Sequence, residues 1–188
     1  MSKKHYTKQE LLEICNRVAD TKHKQLSAPF TAMAITCNHI LWNKYDFRHE
    51  RLSKFNIAVG EYLSKLDNGE ITEQELQDRL FEKSDFNVEY VPHEEKDIKI
   101  DKKKKILYDL AKKEMQAENE MVRYSTTYIL VVMNYMIDLK FGKKRLEKLK
   151  DEILDYFDKI NSHEIRLSDT NASLIANGII IEMPTQRI

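Results

Sequence analysis

Phe47-Arg48-His49-Glu50-Arg51-Leu52-Ser53-Lys54-Phe55 and Phe141-Gly142-Lys143-Lys144-Arg145-Leu146-Glu147-Lys148-Leu149 are two versions of one pattern. Each runs from a phenylalanine through a basic cluster ending in Arg-Leu. Counting on from each Arg-Leu, Leu52, Phe55, Val59, Tyr62, Leu63 and Leu66 align with Leu146, Leu149, Ile153, Tyr156, Phe157 and Ile160 at one constant offset. Steps of three and four residues put each set on one face of a helix. Both copies then read Glu-Ile, at Glu70-Ile71 and Glu164-Ile165. Both close on a short apolar stretch ending in proline, at Pro92 and Pro184. Self-similarity at a fixed offset marks one structural unit used twice. The expected fold is all-α: two pseudo-symmetric helical repeat units on a shared core, with a short extended segment ending each. The first unit is placed at residues 1–92. The second, opening with a polar linker, is placed at 93–188.

Composition agrees with that class. The chain has 188 residues, enough to bury a core as one or two domains. Only four glycines and three prolines occur, which favours long helices over tight turns. Lysine plus arginine number 31, as do aspartate plus glutamate, so the net charge is zero. A general nucleic-acid coat would be basic, so any anion site here must be local. Cys15 and Cys37 both fall in apolar helical patterns and read as buried free thiols of a reducing compartment. The polar start Ser2-Lys3-Lys4-His5 is unlike a signal peptide. The most apolar run, Tyr128 to Ile137, is too short for a bilayer and reads as a core helix.

Local signals divide the chain further. Thr7-Lys8-Gln9-Glu10 is a capping box that predicts a first helix from about residue 8. Ser27-Ala28-Pro29 restarts the chain into a helix carrying Met33, Ile35, Cys37, Ile40 and Leu41, apolar on nearly every side and therefore central. The amphipathic helix at about 48–67 is stopped by Asp67-Asn68-Gly69. Thr72-Glu73-Gln74-Glu75 caps a short helix to about Lys83. The second copy repeats the plan with a helix at about 103–120, a break near Ser125-Thr126 and an apolar helix at 127–140. An amphipathic helix at 143–161 and a short helical turn after Ser168 complete it.

Three features could carry chemistry. Asn68 to Glu75 fits the second half of a calcium loop, but Leu66 would stand at a ligand position, so a helix cap followed by a capping box accounts for it better. Basic residues cluster at two helix starts: Arg48, His49 and Arg51 in the first copy, Lys143, Lys144 and Arg145 in the second. Cations are disfavoured by the helix dipole there, yet with backbone N–H groups they form a site for phosphate, a nucleic-acid backbone or an acidic protein surface. The run containing Lys103 and Lys104 is a third anionic-partner candidate. The histidines and cysteines lack metal-ligand spacing, and no nucleophile elbow, phosphate loop or dinucleotide fingerprint occurs. The expectation is no catalytic residue, no metal and no cofactor. Asn38 and Asn134, inside the two apolar helices, are expected to fix packing.

Phe141-Gly142-Lys143-Lys144-Arg145-Leu146, between an apolar and an amphipathic helix, resembles a motif of small helical proteins encoded by phages of Gram-positive bacteria. Gly69-Glu70-Ile71-Thr72-Glu73-Gln74-Glu75-Leu76 is similar to the helix restart that follows it in those proteins. The resemblance implies a phage or prophage product working in the cytoplasm of a bacterial host cell; the shortness of the apolar run adds the expectation of no membrane partner. Such products commonly bind and block host proteins. The expected function is therefore stoichiometric inhibition of a host defence or regulatory protein, for example a CRISPR effector. The alternatives are a DNA-binding regulator using the basic helix starts and, third, an enzyme with a dispersed site.

Overall fold

A computed structural model describes residues 27–89 and 105–181, and every regular element among them is helical. The helices are α1 (Ser27–Lys44), α2 (His49–Asp67), α3 (Glu73–Ser84), α4 (Lys105–Asp138), α5 (Lys143–Asn161) and α6 (Leu167–Ala176). The protein is thus all-α, as the spacing predicts. No helix among the described residues is long and apolar enough to cross a membrane. The first capping box, Cys15 and the start of the lysine run lie outside the described residues.

The chain divides into two compact units, one of residues 1–29 with 90–124, the other of 30–89 with 125–188. The described part of the first is the opening turn of α1 and α4 as far as Tyr124. The second holds the helices of both copies around one core. Met33, Cys37, Ile40 and Leu41 of α1 meet Val131, Val132, Met133 and Met136 of α4 in it. Leu52, Phe55 and Val59 of α2 join Leu146, Leu149 and Ile153 of α5 there.

Local structure recurs at the offset seen in the sequence. Asp46 and Lys140 hold left-handed turns before α2 and α5, with φ of 54° and 61°. Phe47 and Phe141, next in the chain, are buried. Gly69 and His163 take φ of 71° and 62° after those helices. The Ile71 and Ile165 amides then donate back to Lys65 and Lys159 carbonyls at 3.4 and 3.0 Å. Leu80 of α3 and Leu174 of α6 are buried at equivalent places.

Contacts run in both directions between the first and second halves of the sequence. In α3, Arg79 donates to Asn134 Oδ1 at 3.1 Å and to Asp138 of α4 at 2.5 Å. Asn134 in turn donates to the Leu76 carbonyl at 3.0 Å. The Phe55 ring of α2 meets Tyr135 of α4. In the other direction, α5 lies against α1: Tyr156 stacks on His39 at 4.8 Å between centroids, and Glu152 pairs with Lys44 at 3.3 Å.

Two expectations need correction. The break near Ser125-Thr126 does not exist, because α4 is continuous through it. No glycine or proline occurs between Lys105 and Asp138 to stop the helix. The Thr127 hydroxyl donates to Glu73 at 2.7 Å, which ties this stretch of the helix to α3. The short turn after Ser168 is a ten-residue helix, anchored by buried Thr170 and Leu174.

Candidate functional site

Both basic helix starts are built the same way. A left-handed residue reverses the chain, a phenylalanine enters the core, and the next helix begins without a side-chain cap at Arg48 or Gly142. Four residues past each phenylalanine an arginine folds back over its ring. Arg51 lies 4.2 Å from the Phe47 centroid and Arg145 lies 3.8 Å from that of Phe141. These two cations therefore have an internal role, since a guanidinium over an aromatic face is attracted by the ring quadrupole.

The remaining charges differ. At the first start, Arg48 pairs with Asp46 at 2.6 Å and lies over the Trp42 ring at 4.9 Å. Lys54 donates to Glu50 at 2.6 Å, which holds the Glu50 carboxyl below and the Lys54 ammonium above their ordinary ranges. His49 sits edge-on to Trp42 at 5.3 Å. Its ring also approaches Gly178: a Cβ there would stand 3.2 Å from His49 Cε1. The first start is thus largely neutralised by its own acids.

At the second start those acids are lysines. Lys140 stands where Asp46 does and Lys144 where Glu50 does. Lys143 is pinned by Asp85, to whose Oδ2 it donates at 2.7 Å, and this bond raises its pKa. Asp85 is itself the left-handed residue ending α3, φ 52°, so the first copy supplies this contact. Lys140, Lys144 and Lys148 are exposed and form no ion pair among the described residues. The result is a concentrated positive surface on a rigid support.

Of the residues singled out in the sequence, Arg48, His49 and Arg51 gather at the first start and Lys143, Lys144 and Arg145 at the second. Lys103 and Lys104 lie outside the described residues. Sequence reasoning missed Lys140, which precedes the basic motif by a turn; aligning it with Asp46 would have found it. It also missed Asp85, which nothing local connects to Lys143. The calcium-loop likeness dissolves into a cap. Glu75 Oε2 accepts from the Thr72 amide at 2.7 Å, and the Glu75 amide donates to the Thr72 hydroxyl at 3.2 Å. This capping box holds the Glu75 carboxyl below its ordinary range.

A second polar cluster lies under α5. The Tyr45 ring rests on Phe141, and its hydroxyl is pushed above the ordinary tyrosine range by burial and then by Glu152. The Tyr45 hydroxyl and Glu152 Oε2 are both buried without a well-formed hydrogen bond. Compared with known protein families, curated proteins and solved structures, the chain matches none. Chemically, the second start can hold carboxylates or phosphates through its ammonium groups and the unbonded amides of its first turn.

Proposed function

We propose that the protein acts by stoichiometric binding, engaging an acidic surface of a host protein through the start of α5. In this reading it is a phage or mobile-element product that inhibits host defence or regulation, in the manner of an anti-CRISPR protein. The observation that carries the binding site is the internal comparison: Lys140 and Lys144 replace the acids that neutralise the same local structure in the first copy. Stability does not call for those lysines, because the Arg145–Phe141 stack holds the turn without them. The phage setting rests on the resemblance of Phe141 to Leu146 described above. An acidic protein face suits the site better than a long nucleic-acid backbone. Asp151, Asp155 and Asp158 follow on exposed positions of α5, the first two paired with Lys150 and Lys159, so the positive surface is confined to the start of the helix and does not extend along it.

The test is capture from bacterial lysate, with and without nuclease, using the natural chain and Lys140→Asp with Lys144→Glu. The expected result is a protein partner that survives nuclease and is bound about tenfold or more weakly by the variant. Recovery of nucleic acid alone would favour the DNA-binding reading. Equal capture by both chains would show a merely solvated surface.

A further inference from the structure

We propose that residues 30–89 and 125–181 are complementary interaction partners, and that a second copy of this chain can supply either one. Within the shared core, α3 does not rest only on its own copy. Its buried face and Arg79 close on α4, through Asn134, Asp138 and the Leu76 carbonyl. Conversely, α5 of the second copy covers α1 of the first at His39 and Lys44, and Phe141, just before α5, meets Tyr45, just after α1. The ends match in the same reciprocal sense. Asp85, closing α3, holds Lys143 at the start of α5, while Gly178, closing α6, receives the ring of His49 at the start of α2.

Each half therefore presents an apolar face to the other, and Asn134 of the second half completes its hydrogen bonds only on Leu76 and Arg79 of the first, whereas Asn38 is satisfied within its own half by Ala34 and Asn56. Separated, 125–181 would expose Asn134, whose side chain is fully buried, together with Val131 and Met136. A buried amide stripped of its partner is costly, which makes the pairing selective as well as strong. Contacts of this kind can be remade between chains without new chemistry, as in domain exchange. The covalent connection acts mainly by raising the effective concentration of each half for the other.

The experiment uses the full chain with a protease site inserted between Pro92 and His93. After cutting, the two pieces are expected to stay together on a sizing column and to melt in one transition. Unfolding the cut protein in urea with an isotopically heavy copy, then refolding, should give light–heavy hybrids in the native mass spectrum. The compact unit of residues 1–29 with 90–124 is also divided by the cut, so Arg79→Ala supplies the specific readout. It should raise the dissociation constant of the cut pieces by about tenfold or more, whereas Lys54→Ala, whose partner Glu50 is in the same half, should not. Pieces that part on cutting would overturn the proposal. So would an Arg79→Ala complex as tight as the unsubstituted one.

Discussion

The guanidinium of Arg145 lies over the ring of Phe141, 3.8 Å from its centroid, across the turn that opens α5. The ring is buried while the arginine head remains exposed, so the stack closes the core edge as a lid of mixed character. Arg51 and Phe47 repeat it at the start of α2. The stacks account for a cation at each place where the helix dipole disfavours one, since the aromatic face offsets that cost.

Stability and binding should therefore separate between neighbouring residues. Arg145→Ala should destabilise the fold by about 0.5–1 kcal/mol, and Lys144→Ala should change it by less than about 0.5 kcal/mol. Denaturant melts of both variants check this, and a larger loss for Lys144→Ala would contradict the assignment.

Asn134 bonds the Leu76 and Leu130 carbonyls, each at 3.0 Å, and accepts from Arg79. Asn134→Ala should cost about 1–3 kcal/mol, because it removes a fully buried side chain that bonds the Leu76 carbonyl and leaves part of Arg79 without its acceptor. Ile153→Ala and Val59→Ala remove buried methyl groups from equivalent positions and should each cost about 1–4 kcal/mol. Chemical denaturation measures all three, and unchanged midpoints would place these side chains outside the core.

Two edits should stabilise the protein. A Cβ at Gly60, inside α2, would meet nothing within 4 Å. Gly60→Ala should accordingly gain about 0.5–1 kcal/mol. His163 occupies the left-handed position that Gly69 fills in the first copy, so His163→Gly should gain roughly 1 kcal/mol. Thermal melts in which either variant loses stability would show an unrecognised role for the present residue.

His39 gives a pH signature. Burial, and then the charge of Lys44, lower its pKa from the ordinary 6.5. Its Nδ1 lies 3.3 Å from the Asn43 amide nitrogen, a bond that suits the neutral ring. The unfolded chain thus takes up a proton near that ordinary value while the folded chain resists it. This contribution to stability is present above about pH 6.5 and is lost as pH falls toward the folded value. In His39→Gln that portion of the pH dependence should vanish; a variant with the same slope between pH 7 and 5 would assign it elsewhere.

The elements were legible where the signal is local. The three-four spacing from Leu52 and from Leu146 set α2 and α5 almost to the residue, and Thr72 with Glu75 set the start of α3. What stayed hidden depends on distant partners. Arg79 meets Asp138, and Lys143 meets Asp85, through the fold and not through any pattern along the chain. Ser125-Thr126 looked like a break because hydroxyl residues often cap helices, yet Thr127 is drawn to Glu73 and the helix runs on. The candidate site was half visible: the motif at Lys143 to Arg145 stood out, while Lys140 gains meaning only beside Asp46.

Cys37 lies fully buried in the middle of α1, and its surroundings push the thiol far above its usual range. A thiol so held reacts only when the helices around it part, because reagents need the exposed thiolate. The molecule thus carries its own clock. The rate at which an alkylating reagent reaches Cys37 in a Cys15→Ser chain reports how often the shared core opens, and a bound partner that bridges both halves would slow it.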